Sequence, residues 1–263
     1  MKICMIGTGY VGLVSGTCFA DIGNQVYCVD KDVAKIKKLN SGTSPIYEPG
    51  LDELIQKNFK AKRLFFTTDL KKAVNASEII FICVGTPNIK GTLKVDLSFV
   101  YKCTKQILSI TKKKKIIVTK STVPVGTGDE IEKIIKKKKK LFSIVSNPEF
   151  LREGEAIRDF RYPDRIIIGS DNKNIFKLMN KLYSPVINKG AKFITTTRRG
   201  AELIKYAANA FLATKITFIN EIANLCEQLD INIEDIATGI GSDTRIGGRF
   251  LRAGPAYGGS CFP

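Results

Sequence analysis

The chain has 263 residues, 44% of them hydrophobic, which is enough to bury the core of one large or two ordinary domains. No apolar run approaches the roughly 20 residues that span a membrane, and the glycine-rich N-terminus does not match a signal peptide, so we expect a cytoplasmic protein without a membrane partner. The seven cysteines lack disulfide or zinc-ligand spacing, there is no histidine, and the net charge of +17 comes with no RNA-binding signature, so we expect neither a metal site nor a nucleic-acid partner.

Apolar strand-like segments alternate with helix-like segments over most of the chain. The sequence predicts strands at residues 2–6, 25–29, 79–84, 116–119, 142–146, 165–168 and 193–196, with helices that include 11–22, 97–109 and 127–138. Continuous apolar strands separated by helices are typical of a parallel sheet covered on both faces. We therefore predict an α/β fold with a Rossmann-like, doubly wound parallel sheet, forming a first domain over residues 1–196.

The pattern then changes to a long helix over residues 199–229, on which Leu203, Ala207, Phe211 and Phe218 recur at helical spacing. A helix of about 30 residues is roughly 45 Å long, so it spans between domains or supplies a dimer surface. We expect a homodimer built on this helix. With a shorter helix after it and a glycine-rich tail, it forms a second domain over residues 197–263.

The first motif with chemical meaning is the turn Gly7-Thr8-Gly9-Tyr10-Val11-Gly12, between the first strand and the first helix. In the dinucleotide-binding fingerprint such glycines allow a tight turn, approach of the pyrophosphate and close helix packing, and the helix N-terminus favours phosphate. Asp30 ends the next strand, where a carboxylate binds the ribose hydroxyls and repels a 2′-phosphate. We therefore predict NAD rather than NADP, bound by Gly7, Gly9, Tyr10, Val11, Gly12 and Asp30; Lys35 lies near the same ribose or is a solvated lysine. An ordinary glycine turn is the alternative.

Two further loops follow apolar strands, Val84-Gly85-Thr86-Pro87 and Ser121-Thr122-Val123-Pro124-Val125-Gly126-Thr127. Ligands of open parallel sheets bind at the carboxyl ends of the strands, so Thr86 and Thr122 are candidate hydroxyl donors to cofactor or substrate. Plain turn chemistry explains the same residues equally well.

A fourth segment, Asn147 to Gly154, places Glu149 and Glu153 four residues apart, which a helical turn would bring to one face. Carboxylates that share a site raise each other's pKa and can accept protons near neutrality, although an acidic, solvated helix start has the same composition. On the long helix, Lys205 and Asn209 are also four apart and could stabilise an oxyanion. A snorkelling lysine beside a surface amide is the alternative.

Cys261 stands in the final glycine-rich segment, Gly258-Gly259-Ser260-Cys261-Phe262-Pro263, unlike the other cysteines. Flexible backbone gives a thiol the access that a covalent nucleophile needs, and a nearby cation would increase the thiolate fraction. An incidental cysteine in a loose tail fits the same pattern.

Together these segments resemble the UDP-glucose/GDP-mannose dehydrogenase family, in the family's order and over the whole chain. The segments are residues 7–12, 84–87, 121–127, 147–154, 202–209 and 258–263. The branch that acts on UDP-glucose is the most similar, through residues 147–154, 162–166 and 250–254. The resemblance implies two successive hydride transfers to NAD⁺, which take the primary alcohol of UDP-glucose to the carboxylate of UDP-glucuronate.

The resemblance also assigns roles to residues. Cys261 matches the nucleophile that captures the aldehyde as a thiohemiacetal and then carries a thioester, Lys205 and Asn209 match oxyanion-stabilising residues, and Glu149 matches the carboxylate linked to thioester hydrolysis. Thr122 matches a residue that positions water or cofactor, and Glu153 matches one near the nicotinamide. The implied substrate-binding residues are Glu149, Phe150, Leu151, Arg152, Glu153, Lys205, Asn209, Arg245, Phe250, Leu251, Arg252, Ala253, Gly254 and Gly258, with Arg245 able to reach a neighbouring subunit.

Family members continue past the cysteine into a third domain that holds much of the nucleotide, so we expect a C-terminally truncated chain that lacks this domain. GDP-mannose or another UDP-hexose is the alternative substrate. From other classes, an inactive NAD-binding fragment, a dimerising fragment and a basic RNA-associated protein are the alternatives.

Overall fold

A computed structural model describes residues 1–92 and 94–255. The chain divides into two compact units, Met1–Leu203 and the residues from Ile204 onward. The division falls inside a long helix rather than at residue 196. The reason is that the first residues of this helix, including Arg198 and Glu202, bond to side chains and backbone of the first unit.

The first unit alternates strands and helices. Its strands are β1 (Lys2–Ile6), β2 (Gln25–Val29), β3 (Leu64–Thr67), β4 (Ile79–Ile82), β5 (Lys115–Thr119), β6 (Phe142–Ser146), β7 (Arg165–Gly169) and β8 (Lys192–Thr196). Its helices are α1 (Tyr10–Asp21), α2 (Val33–Asn40), α3 (Leu51–Lys60), α4 (Leu70–Ala76), α5 (Ser98–Ile110), α6 (Thr127–Ile135), α7 (Ala156–Arg161) and α8 (Lys173–Ile187). All strands predicted from the sequence are present, and β3 is the additional one.

The strands form one sheet in the order β3-β2-β1-β4-β5-β6-β7-β8. The strands from β3 to β6 are parallel, which confirms the doubly wound α/β prediction, but β7 pairs antiparallel with β6 through Ser146 and Gly169. β8 is parallel to β7, so the last two strands run opposite to the rest. An antiparallel pair can be connected without crossing the sheet, so the β6–β7 connection begins and ends on the carboxyl side of β6.

Alternate residues of each strand face opposite sides of the sheet, and both sides are covered by helices. On β1, Ile3 and Met5 join the core beneath α1, α3, α7 and α8, whereas Cys4 and Ile6 join the core beneath α4, α5 and α6. This explains why the strands are apolar along their whole length rather than at every second residue. The order of the strands reverses at β1, with β2 on one side and β4 on the other, and the carboxyl ends of β1 and β4 therefore border a crevice suited to a ligand.

The second unit contains most of α9 (Arg198–Leu229), followed by α10 (Ile233–Gly241) and an irregular segment. Hydrogen bonds hold this segment on α9: Lys215 Nζ donates to the carbonyl oxygens of Ile246 (3.0 Å) and Gly247 (3.1 Å), and the Gly254 N–H donates to Asn220 Oδ1 (2.9 Å). Within the described ranges, none of the helices combines the length and the apolar character needed to cross a bilayer.

We predict that Gly12→Ala destabilises the first unit. A Cβ at this position would collide with the carbonyl oxygen of Gly7 and lie 3.0 Å from Cβ of Cys83, in contact with backbone that cannot move aside. Overpacking of this kind costs about 1–3 kcal/mol, measurable as a lower free energy of unfolding in urea. Gly9→Ala is the matched control, because a Cβ there would meet no atom of the described chain within 4 Å. Equal losses in the two variants would contradict the prediction.

Candidate active site

The glycine turn after β1 is shaped by two different requirements. Gly7 has φ +100°, and a Cβ on it would lie 2.5 Å from the carbonyl oxygen of Cys83, so the chain itself requires glycine there. Gly9 faces open space at the N-terminus of α1, where described protein atoms would not touch a Cβ. The turn thus leaves room for a group to approach the backbone at Gly9, as the pyrophosphate of a dinucleotide does, and the helix N-terminus favours its negative charge.

Asp30 is bonded directly to this turn through Thr8, which the sequence analysis did not single out. Asp30 Oδ2 accepts hydrogen bonds from the N–H (2.9 Å) and the hydroxyl (2.8 Å) of Thr8, while Oδ1 accepts one from the N–H of Asp32. Burial by itself would raise the pKa of Asp30, but these bonds outweigh it and hold the pKa below its ordinary value. Lys35 Nζ lies 3.5 Å from Asp30 Oδ2. The predicted ribose-binding carboxylate is therefore ionised and fixed beside the glycine turn.

The loops after β4 and β5 contact each other, as neighbouring strand ends should. The Thr86 hydroxyl donates to the carbonyl oxygen of Thr122 at 2.8 Å, and the Ser121 hydroxyl donates to that of Val84 at 2.7 Å. The Thr86 hydroxyl proton is therefore already donated within the protein, so the Thr86 oxygen can only accept a hydrogen bond from a ligand. The Thr122 hydroxyl is enclosed and has no hydrogen-bond partner in the part of the chain that the structure describes.

The loop after β6 carries Asn147 and Glu149, both buried. Asn147 is fixed on all sides: its amide donates to the carbonyl oxygen of Ile167 (2.9 Å), and its Oδ1 accepts from the hydroxyl of Tyr183 (2.6 Å) and lies 3.5 Å from Lys120 Nζ. Asn147 has no role among the sequence-based predictions. A polar residue that directly follows an apolar, mostly buried strand was the signal that could have identified it.

The helical turn that would bring Glu149 and Glu153 to one face is not observed, because α7 begins only at Ala156. Instead, Glu149 Oε2 accepts a hydrogen bond from the N–H of Leu151 at 2.6 Å, a local bond that competes with helix formation. The two carboxylates therefore belong to an extended loop.

Phe150 and Arg152 serve the conformation of the same loop. The Arg165 guanidinium lies 4.1 Å from the centre of the Phe150 ring. Arg152 pairs with Asp159 through Nε (3.0 Å) and Nη2 (2.7 Å), and with Glu155 at 2.5 Å. Their predicted contacts with substrate stay predictions, and any such contact of Arg152 has to share the guanidinium with these carboxylates.

Glu202, at the start of α9, is a buried carboxylate that sequence analysis noted only as part of a family segment. Its Oε2 accepts from the N–H of Gly126 (2.7 Å), and its Oε1 accepts from the N–H of Gly128 (2.9 Å) and the hydroxyl of Ser146 (3.0 Å). Burial raises the pKa of Glu202 above its ordinary value despite these bonds. It fixes the N-terminus of α6, and with it the loop that carries Thr122, relative to the end of β6.

In the second unit, Lys205 and Asn209 occupy successive turns of α9, and both are buried, at 6% and 8% exposure. The alternative interpretation of a snorkelling lysine beside a surface amide is therefore wrong, because both side chains are buried. Arg245 is exposed and paired with Asp243 at 2.6 Å. The remaining predicted residues are Phe250, with φ +63°, the buried Leu251, the exposed Arg252 and Gly254, and the half-buried Ala253. Gly258 and Cys261 lie outside the described residues.

The lysine runs responsible for much of the net charge lie at the other edge of the sheet. Residues 112–114 precede β5 and residues 136–140 precede β6, and these strands pair from Lys115 and Phe142 onward. Both runs therefore stand at the amino ends of strands whose carboxyl ends carry the Thr122 and Asn147 loops. Lys138 Nζ donates a hydrogen bond to the carbonyl oxygen of Leu108 on α5 (2.6 Å).

Comparison with known proteins agrees with this arrangement. Residues 1–187 match the NAD binding domain of the UDP-glucose/GDP-mannose dehydrogenase family, and residues 199–263 match the central domain of the same family. The chain therefore belongs to the UDP-glucose/GDP-mannose dehydrogenase family. The sequence-based assignment to this family is confirmed.

Two similar dehydrogenases are longer than this chain. The UDP-glucose 6-dehydrogenase of Rhizobium meliloti (strain 1021) is 57% identical, and the UDP-glucose 6-dehydrogenase TuaD of Bacillus subtilis (strain 168) is 52% identical. Both alignments cover the whole chain but only 61% and 57% of the relatives, so the chain spans about three fifths of their length.

Two solved structures show the same fold. A UDP-glucose dehydrogenase from the archaeon Pyrobaculum islandicum aligns with a TM-score of 0.93 at 36% identity, over 99% of this chain and 61% of that one. A GDP-mannose dehydrogenase from Pseudomonas aeruginosa aligns with a TM-score of 0.88 at 37% identity, over 100% of this chain and 62% of that one.

Proposed function

We propose that this protein is an NAD-dependent dehydrogenase that oxidises UDP-glucose to UDP-glucuronate. The observation that carries the proposal is the convergence of three loops at the carboxyl edge of one sheet: the glycine turn with Asp30, the Thr86–Thr122 pair and the Glu149 loop. A cofactor turn beside loops with hydroxyls and carboxylates suits hydride removal from an alcohol. The names of the relatives at 57% and 52% identity support the substrate.

The residues of the first unit fit NAD. The open backbone at Gly9 would accept the pyrophosphate at the N-terminus of α1, and the ionised Asp30 would accept hydrogen bonds from the adenosine ribose while repelling a 2′-phosphate. When bound, NAD⁺ supplies the chemistry of hydride acceptance. By resemblance, Glu153 matches a residue near the nicotinamide. Lys35, which lies 3.5 Å from Asp30, would sit near the same ribose.

Oxidation to the acid requires a second stage that this chain's own residues would carry. The thiol of Cys261 would add to the aldehyde carbonyl and give a thiohemiacetal. Loss of a hydride from its carbon to a second NAD⁺, and of a proton from its hydroxyl, would give a thioester. Water would then hydrolyse the thioester, which releases the acid and regenerates the thiol. Lys205 and Asn209 would stabilise the oxyanions, since a buried cation and amide on one helix face are preorganised for this. Glu149 would assist the attacking water, with Thr122 positioning water or cofactor.

GDP-mannose is the second candidate substrate, because the GDP-mannose dehydrogenase of Pseudomonas aeruginosa shares this fold at 37% identity. The two substrates are distinguished by the rate of NADH formation with each, using protein expressed from its full open reading frame. Faster turnover of GDP-mannose would replace UDP-glucose in the proposal. An inactive NAD-binding protein would bind the cofactor and turn over neither.

We also propose a homodimer formed through α9. Phe211, Phe218 and Leu225 are 66%, 50% and 49% exposed and are spaced by seven residues, so they form a stripe along one face of the helix. A second copy of the same helix would cover this stripe, provided that the interface reaches the size of a specific contact, about 1,200 Å² in total. The exposed Arg245 would reach the partner's site by giving up its ion pair with Asp243 and binding the substrate there instead.

Asp30→Ala should weaken NAD⁺ binding by about 1–3 kcal/mol, the cost of losing hydrogen bonds to a charged group. Isothermal titration calorimetry on the 263-residue chain measures this loss. Asp21→Ala is the matched control, because the Asp21 side chain is 11% exposed and that of Asp30 is 13% exposed. Asp21 lies at the other end of α1, the C-terminal end, where it pairs with Lys57 and Arg161. The control should lower stability and leave the NAD⁺ affinity unchanged. Unchanged affinity in Asp30→Ala would remove Asp30 from the cofactor site.

Phe218→Glu should convert the dimer to a monomer, since a charge in the centre of an apolar interface is desolvated without a partner. Sedimentation at micromolar concentration gives the mass. Phe59→Glu, on α3 and 41% exposed, is the control and should leave the mass unchanged. A wild-type protein that is monomeric under the same conditions would refute the dimer.

Cys261→Ala should bind NAD⁺ normally, because the cofactor turn lies elsewhere, but should release little or no acid. The measurement is NADH formed per UDP-glucose consumed, with the acid product assayed alongside, in protein expressed from its full open reading frame. Wild type should approach two equivalents, because the acid requires two hydride transfers. A variant that kept two equivalents at a near-normal rate would show that the thiol is a bystander and that the thioester route is wrong.

A further inference from the structure

The carboxylate of Glu48 joins segments that are far apart in the sequence. Its Oε2 accepts hydrogen bonds from the hydroxyl of Tyr10 and from the N–H of Gly154 (2.9 Å), and its Oε1 accepts one from the N–H of Ile157 (3.1 Å). The Gly154 N–H also donates to the Tyr10 hydroxyl oxygen at 2.6 Å. Glu48 is only 6% exposed, so both of its oxygens are satisfied by protein donors rather than left to solvent.

Each of these segments belongs to the candidate cofactor region. Tyr10 is the first residue of α1 and stands inside the glycine turn, directly after Gly9. Gly154 directly follows Glu153, at the end of the loop that begins with Asn147. These hydrogen bonds therefore attach the C-terminal end of the loop over residues 147–154 to the glycine turn at the start of α1.

The local backbone explains why a remote carboxylate is needed. Glu155 precedes α7, and among the described residues its side chain provides no capping hydrogen bond for that helix. Glu48 takes this place by accepting the Ile157 N–H, where the helix dipole also favours a negative charge. Gly154 has φ +86°, a left-handed conformation that glycine adopts without strain. Burial and the bond to Glu48 raise the pKa of Tyr10, so its hydroxyl remains a proton donor at neutral pH.

We propose that Glu48 and Tyr10 are positioning residues that hold Glu153 and its loop on the glycine turn, so that cofactor binding depends on this network. The proposal rests on the proposed function for the identity of the cofactor. The sequence predicted that Tyr10 contacts the cofactor directly. In this proposal the Tyr10 hydroxyl instead links the glycine turn to Glu48 and to the loop that ends at Gly154. Glu48 joins the site although it lies in the connection between α2 and α3, away from every predicted motif.

A purely structural network would stabilise the fold without affecting the cofactor, and Asp52 provides the control for this alternative. Asp52 Oδ1 accepts a hydrogen bond from the N–H of Ser44 at 2.7 Å, in the same α2–α3 region as Glu48. Glu48→Gln and Asp52→Asn make the same chemical change, a carboxylate to an amide. Glu48→Gln places a donor where an acceptor is needed, whereas Tyr10→Phe removes only the hydroxyl and leaves both backbone bonds to Glu48.

The test uses the 263-residue chain with these three substitutions and measures NAD⁺ affinity by calorimetry and amide hydrogen exchange of residues 151–158. We expect Glu48→Gln and Tyr10→Phe to weaken NAD⁺ binding about 3- to 10-fold, the equivalent of one net hydrogen bond, and to speed exchange in this segment. Asp52→Asn should change neither. In protein from the full open reading frame, the KM for NAD⁺ should rise by about the same factor in Glu48→Gln and Tyr10→Phe and stay at the wild-type value in Asp52→Asn.

NAD⁺ affinity and exchange in Glu48→Gln and Tyr10→Phe equal to those in Asp52→Asn would overturn the proposal. If Glu48→Gln fails to fold, Tyr10→Phe decides alone, because it removes one oxygen atom from an otherwise intact network. A wild-type chain that binds no NAD⁺ refutes the proposed function and the cofactor role of this network together. Faster exchange of residues 151–158 in the variants would then show a loop anchor that serves the fold only.

Discussion

The contact between the glycine turn after β1 and the end of β4 is the constraint on which the rest of the site depends. Side chains at Gly7 or Gly12 would overlap the backbone or side-chain atoms of this contact, so α1 can lie against the sheet only with glycine at both positions. Because α1 lies this close, its N-terminus points into the crevice where the strand order reverses. The open position of Gly9 and the bond of Thr8 to Asp30 both follow from that placement.

Carboxylates that are buried, or half-buried in the case of Asp30, then fix the loops around this crevice. Asp30, Glu48, Glu149 and Glu202 each accept at least one backbone N–H, and each of these bonds holds a loop or a helix start at the carboxyl edge. Removing a carboxylate from water is costly, but charged hydrogen bonds to otherwise unsatisfied N–H groups offset the cost. In a chain without histidine, this arrangement makes Asp and Glu the main organisers of the site as well as its candidate proton acceptors.

Sequence reasoning succeeded where a signal is local. The strands, the glycine turn and Asp30 follow from apolar runs and short spacings, and the structure contains each of them. It missed β3, whose four residues give too short an apolar run, and the reversed direction of β7, which depends on pairing rather than on composition. It also gave no role to Glu48 or Glu202, because their partners lie more than 70 residues away in most cases and leave no trace in the local pattern.

The distribution of charge separates the two edges of the sheet. The lysine runs lie at the amino ends of β5 and β6, whereas the carboxyl edge holds the carboxylates of the candidate site, helix N-termini and single lysines such as Lys120 and Lys35. A dinucleotide at the carboxyl edge would therefore be held by backbone N–H groups and by the dipole of α1, with Lys35 as a nearby cation that already pairs with Asp30. Long-range attraction from the +17 net charge can speed the encounter with an anionic ligand, but it cannot orient one. Orientation therefore has to come from short, directional bonds around Gly9 and Asp30. These bonds require loops in fixed positions, and the hydrogen bonds of Asp30, Glu48, Glu149 and Glu202 to backbone N–H groups hold the loops in place.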